Sequence, residues 1–314
     1  VKRFFEKPYR FALAYGAALV LAVSLTLLDT FVIPRALAQS DSLSSSAITS
    51  SSTTVSEQTT ASLESNGSAG PVITDSSYAD ENIQITISAE TVDDTAVYVT
   101  DVQVSDISYL KAAFAEGTFG RNIKAATSEI AEENGAIFAI NGDYYGFRNK
   151  GYVLRNGTLY RWSSNNSEDL VIDSSGNFSI IQEGETGVQA LVDTGVWQIF
   201  SFGPALVVNG QITVTADSEV NQARNSNPRT AIGQVGPLHY VFVVSDGRTD
   251  ESAGLSLLQL AQVLQEHGCT VAYNLDGGGS STMWFNGQVV NNPTDGRNDG
   301  ERSVSDIVYI GYEG

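Results

Sequence analysis

Cysteine is nearly missing from this chain: Cys269 stands alone among 314 residues. No internal disulfide is possible, so the fold must rest on its own core. Histidine is almost as scarce, with His239 and His267 the only two. Both precede Ser280, and Thr282 stands where a G-x-S-x-G elbow needs its last glycine, so an α/β-hydrolase triad cannot be drawn in its usual order. Zinc has too few ligands, and no D-x-D-x-D-G loop specifies calcium; no metal and no cofactor are expected. Basic residues are outnumbered, 17 Lys and Arg against 36 Asp and Glu, for a formal charge of −19. That balance excludes nucleic acid or anionic lipid as a broad electrostatic partner.

The densest stretch that is present is YNLDGGGSST, residues 273–282. Its glycines run together instead of following G-x-G-x-x-G, and no lysine comes after them, which removes the dinucleotide and P-loop readings. One reading remains functional: Gly277, Gly278 and Gly279 offer backbone N–H groups, with Ser280, Ser281 and Thr282 as further donors, to an oxyanion or sugar hydroxyls. The other is geometric, a tight strand connection that needs positive φ several times over.

The amino end differs from the rest. KRFFEKPYR, residues 2–10, is basic, and Phe11 to Ile33 is a nearly unbroken apolar run spoiled mainly by Asp29. A helix of that length spans a bilayer, with Lys2, Arg3, Lys7 and Arg10 holding its start on the cytoplasmic side. Ala36-Leu37-Ala38 also forms an A-x-A cleavage site. Residues 1–38 are therefore read as a cytoplasmic stub and single-pass anchor, or as a signal peptide cut after Ala38. Residues 39–80 are Ser/Thr-rich and expected to be a disordered linker. Residues 81–314 form one extracytoplasmic domain, long enough for a substantial core.

Within that domain the expected fold class is α+β, a mixed, strand-rich single domain with a few packed helices. NIQITISAE (82–90) and TAVYVTDVQV (95–104) alternate as strands. RNIKAATSEIAEENG places Ile123, Ala126 and Ile130 at helical spacing before the Asn134-Gly135 stop. AIFAINGD reads as a buried strand. Residues 151–216 read as short strands turning at Asn156-Gly157, Ser175-Gly176 and Asn209-Gly210. A helix capped by Ser256 and Gln259 carries Leu257, Leu260, Ala261 and Leu264 on one stripe. It lies between strands 239–245 and 270–275, a candidate parallel crossover with Asp246 and Asp276 at its carboxyl ends.

Five motifs occur in order: AINGDYYG (139–146), NPRTAIGQ (227–234), VVSDGR (243–248), NLDGGGSSTM (274–283) and ERSVSDIVYI (301–310). Together they resemble the phosphodiester glycosidase family, the group of the mannose-6-phosphate uncovering enzyme. The resemblance spans about residues 82–312. It implies hydrolysis of the bond between a sugar's anomeric carbon and a phosphodiester, of the N-acetylglucosamine type, here in cell-envelope or exopolysaccharide glycans. A sugar-phosphate or envelope glycan would be the partner, with the membrane bound through the N-terminal helix. Asp276 is then the first candidate carboxylate, with Asp246 or Asp143 beside it. Arg229, Arg248 and Arg302 are candidate phosphate clamps, Arg302 equally a surface ion pair. Thr230 lies in the arginine motif. Asn141 and Asn274 suit sugar hydroxyls or an acetamido group, while Tyr144, Tyr145 and Trp284 suit either ring stacking or the core. A catalytically silent glycan- or phosphate-binding module and a hydrolase of another cell-wall bond remain as alternatives.

Overall fold

The computed structural model describes residues 8–37, 70–218, 226–295 and 298–312. Apolar alternation builds its central element, an antiparallel sheet of nine strands. In the strand Thr95–Val104, Val97 and Val99 point to one face while Val102 and Val104 point to the other. The strand His239–Ser245 is apolar at every middle position because both its faces are covered: Tyr240, Phe242 and Val244 on one side, Val241 and Val243 on the other. Continuous apolar runs mark strands buried on two faces.

Two five-stranded antiparallel sheets pack on the face of Val102, Val104, Tyr240, Phe242 and Val244. One holds Phe138–Asn141, Met283–Phe285 and Asp306–Ile310; the other holds Val153–Arg155, Glu168–Ile172 and Gln198–Phe200. Phe138, Ile140 and Val308 from the former meet Leu170, Ile172 and Phe200 from the latter in one core. The opposite face of the large sheet is covered by the helix Leu257–Glu266 through Leu257, Leu260, Ala261 and Leu264. Ser256 Oγ accepts from Gln259 N (3.2 Å), and Gly268, at φ +82°, ends the helix as its sequence suggests. The architecture is α+β.

Several expectations change. His239–Ser245 and Val271–Asn274 do run the same way, but Arg229–Gly236 lies between them and pairs antiparallel with both. Both carboxyl ends still reach one edge. The helix expected from Ile123 starts only at Thr127, and Ile123 is buried in the loop before it. A six-residue helix, Val188–Asp193, interrupts the stretch read as strands alone. The turns at Asn156-Gly157, Asn209-Gly210 and Asn286-Gly287 form with both residues at positive φ.

The apolar helix Pro8–Phe31 is long and apolar enough to cross a membrane. Lys2, Arg3, Lys7 and most of the expected linker lie outside the described residues. The end of that linker is sheet: Val72–Ile73 and Ser77–Ala79 continue the nine-stranded sheet at its edge, so ordered structure begins before residue 81.

Candidate active site

Asp276 marks the point where the chain leaves the large sheet for a smaller one. The strand Val271–Asn274 ends just before it, and Met283–Phe285 begins just after the glycine turn. Main-chain bonds pin both rims: Leu275 N donates to Thr230 O (2.9 Å) and Asp276 N to Gly142 O (3.3 Å). Asn141 braces the crossing. Its Nδ2 donates to Asp276 O (2.7 Å), and its Oδ1 accepts from Thr230 Oγ1 (2.8 Å) and Thr282 N (3.2 Å). Thr230 also reaches Ser281 Oγ (3.2 Å). These three polar side chains are buried and occupied with one another, so they hold the loop and do not line the cavity.

Four of the loop's N–H groups are likewise committed within the protein. Gly278 N donates to Pro228 O (2.8 Å), Ser280 N to Gly277 O (3.3 Å), Ser281 N to Gly278 O (3.1 Å), and Gly277 N to Asp276 Oδ1 (2.9 Å). Bare backbone serves another purpose here. A Cβ on Gly278, which sits at φ +64°, would stand 2.8 Å from Arg248 Nη2, and one on Gly279 would stand 2.7 Å from Arg302 Nη2. Gly278 and Gly279 make room for guanidinium groups lying against the turn.

Beside this turn opens a cavity of about 1200 Å³. Arg148, Lys150, Arg229, Arg248 and Arg302 line it, five of the chain's 17 Lys and Arg, facing Asp276 and Glu168. Arg229 is buried, with Nε donating to Leu255 O (2.9 Å). Arg248, held at φ +64°, donates from Nε and Nη2 to Asn227 Oδ1 (3.2 and 3.0 Å). Arg302 is half-exposed; it ion-pairs with Asp295 (2.6 Å) and also lines the cavity. Asn274 donates from Nδ2 to Gly203 O (2.8 Å), and its buried Oδ1 has no hydrogen-bond partner among the described residues.

Burial pushes the Asp276 carboxyl up to about 6, against the Ser280 hydroxyl, Arg302, the Gly277 N–H and Arg148, which all favour the anion. A smaller adjoining cavity of about 280 Å³ shares Tyr144, Asp276 and Arg302 and adds Asp143 and Ser280. Asp143 is nonetheless tied down: Oδ2 pairs with Arg155 Nη2 (2.9 Å) and accepts from Ser201 N (2.9 Å), and Oδ1 accepts from Tyr145 N (3.0 Å).

Asp246 is not brought to Asp276. It lines neither cavity, and its carboxylate accepts from Asn292 N (2.8 Å), Asn291 Nδ2 (3.2 Å) and Tyr98 Oη (3.4 Å). Burial raises its pKa against these bonds. Tyr145 and Trp284 are buried in the core, and only Tyr144, stacked on Phe147 at 4.6 Å, faces the cavities. Both histidines pair on the surface instead, His239 with Asp101 and His267 with Glu90. Burial pushes the Cys269 thiol up to about 12, as befits packing. Arg148, unmarked in the sequence, stands just past AINGDYYG. Its Nη1 donates to Ser201 O (2.8 Å), and its guanidinium lies 5.0 Å from the Phe202 ring centre.

With this geometry in place, comparison with known proteins decides the family. The phosphodiester glycosidase model matches residues 134–311. The chain belongs to the phosphodiester glycosidase family. It is 30% identical over 207 residues to an uncharacterised SPbeta prophage-derived protein of Bacillus subtilis, covering 62% of this chain and 31% of that one. It is 27% identical over 224 residues to human N-acetylglucosamine-1-phosphodiester alpha-N-acetylglucosaminidase, covering 63% and 41%. The chain thus spans well under half the length of either relative. Among solved structures, the zebrafish catalytic domain of that glycosaminidase shares the fold with a TM-score of 0.59 at 21% identity, over 74% of this chain and 83% of that one. A hypothetical protein from Synechocystis gives 0.55 at 16% identity, over 74% and 62%. Every cavity-lining residue discussed above falls within the matched range.

Proposed function

We propose that this phosphodiester glycosidase hydrolyses glycosyl 1-phosphodiesters of the N-acetylglucosamine type in envelope glycans. The observation that carries the reading is the convergence of five cations on one cavity in a chain of charge −19, with a single high-pKa carboxylate, Asp276, at its rim. A phosphodiester supplies the anion that such a cavity needs, and guanidinium groups bind its oxygens in pairs.

In this reading water adds to the anomeric carbon as the bond to the bridging oxygen breaks. The water's proton passes to ionised Asp276, which also steadies the oxocarbenium-like centre. Arg229, Arg248 and Arg302 take up the charge that gathers on the departing phosphomonoester. Phosphate leaves readily, so no second carboxylate is required as acid. That matches the commitment of Asp143 to Arg155 and of Asp246 to Asn291 and Asn292. In this reading Asn274, which lines the cavity, meets the sugar's acetamido group.

Two outcomes follow. Because Asp276 must be ionised, kcat/KM falls tenfold per pH unit below about 6 and is level above it; a rate that instead declines above 6 would make Asp276 an acid. Gly278→Ala pushes against Arg248 and strains a left-handed residue. It is expected to raise KM for a soluble phosphodiester by about tenfold with kcat little changed, as read by steady-state kinetics.

A further inference from the structure

The Ser/Thr-rich segment is not the first connection between the apolar helix and the domain, because the chain touches the domain before that segment begins. Four residues past Phe31, Arg35–Ala36 pairs antiparallel with Gly120–Arg121, and Leu37 N donates to Phe119 O (2.9 Å). The landing site is shaped for this contact at successive positions. A Cβ on Gly120 would stand 2.3 Å from Arg35 O. Asn122, at φ +57°, donates from Nδ2 to Thr30 O and Ile33 O (3.1 Å each), occupying carbonyls at the helix end that have no partner within the helix.

Gly120–Arg121 backs the turn Tyr145–Phe147, where a Cβ on Gly146 would meet Gly120 O at 3.4 Å. Phe147 and Lys124 line the smaller cavity that shares Asp276. The landing strand therefore abuts the wall of the candidate site. Four extended residues reach at most about 14 Å, which fixes how far the landing strand can stand from the end of the helix. Charge would not hold the domain there: the chain is strongly acidic, and an anionic membrane surface repels it.

We propose that Arg35–Ala36 is a docking strand that holds the domain against the membrane carrying the apolar helix, and that the substrate is a glycosyl phosphodiester whose aglycone is anchored in that membrane by a lipid chain. This rests on the hydrolase reading and on the helix staying attached. Freed from docking, the domain would be joined to the helix only through the intervening chain, which lengthens the connection from four residues to more than thirty.

The test uses the full chain reconstituted in phospholipid vesicles, with two substrates: a water-soluble methyl N-acetylglucosamine 1-phosphodiester, and a long-chain alkyl one embedded in the same vesicles. Asn122→Gly keeps the backbone conformation and removes the two bonds, while Gly120→Val blocks the strand. Both variants are expected to leave the soluble substrate within about twofold and to slow the embedded one about tenfold, through lost effective concentration. Equal effects on both substrates, no effect on the embedded one, or an intact mass showing loss of residues 1–38 would overturn the proposal. Docking is read separately by an Arg35→Cys/Arg121→Cys pair, whose positions face each other in register, with buried Cys269 the only other thiol. Rapid disulfide formation supports docking, and persistent free thiols contradict it. If the wild-type chain cleaves neither substrate, the hydrolase reading and the substrate class fall together, while the disulfide still decides whether the strand docks.

Discussion

Asp276→Asn is expected to lower kcat/KM on a soluble glycosyl phosphodiester about a thousandfold while leaving the fold intact. The substitution keeps the shape and an oxygen to accept from Gly277 N, so the glycine turn retains its geometry. What disappears is the anion that receives the water's proton and faces the anomeric carbon. The same change should stabilise the protein at high pH. Folding raises this carboxyl to about 6, so above that pH the buried anion costs stability, and the cost fades as pH falls through 6 toward the ordinary carboxylate range. The raise from 3.8 to about 6 corresponds to at most about 3 kcal/mol. Thermal unfolding should therefore show the variant melting at or above the wild-type temperature at pH 8, with the difference vanishing near pH 4. A lower melting temperature at pH 8 would mean that Asp276 is structural.

The second large effect is on stability. Arg155 is buried between two carboxylates, Asp143 and Asp306, each 2.9 Å from Nη2, and its guanidinium lies 4.2 Å from the Phe200 ring centre. It joins the two smaller sheets: Arg155 ends a strand of one, Asp306 begins a strand of the other, and Asp143 follows Phe138–Asn141. Arg155→Met leaves two buried carboxylates facing each other, and breaking such a pair costs about 3–5 kcal/mol. For a domain of this size the melting temperature should drop by roughly 10 °C. Burial already pushes Asp306 well above the usual carboxylate range, so protonation relieves the variant and its deficit should shrink as pH falls. Adding Asp143→Asn and Asp306→Asn to Arg155→Met should recover most of the loss. An unchanged melting temperature in Arg155→Met would show that the network contributes nothing.

Local chemistry was legible before any coordinates. Asn-Gly pairs announced hairpin turns, and Ser256, Gln259 and Gly268 marked both ends of a helix, because each signal resides in a few adjacent residues. Asp276 and the three motif arginines were also legible, since the geometry gathers all four around one cavity. Commitments across the fold were not. Nothing in AINGDYYG reveals that Asn141 spends its amide on Asp276 O and its oxygen on Thr230, 89 positions away. VVSDGR does not tell that Asp246 is held by Asn291 and Asn292. Arg148 carries no local signal, because its place in the cavity depends on Ser201 and Phe202, which lie in the loop that leaves the strand Gln198–Phe200. The glycine run suggests room for a ligand, yet part of that room is taken by Arg248 and Arg302, residues whose positions only the tertiary fold determines. Strand order has the same origin, as with the antiparallel Arg229–Gly236 placed between two strands that seemed adjacent.

The most direct test of the central claim is product analysis. The full chain is incubated at pH 7.5 with a panel of N-acetylglucosamine 1-phosphodiesters, and free reducing sugar and phosphomonoester are quantified beside Asp276→Asn. The account predicts the two products in equal amounts, with both lost in the variant. Binding of the phosphodiesters without release of sugar, across the whole panel, would contradict it and leave a glycan-phosphate binding module in its place.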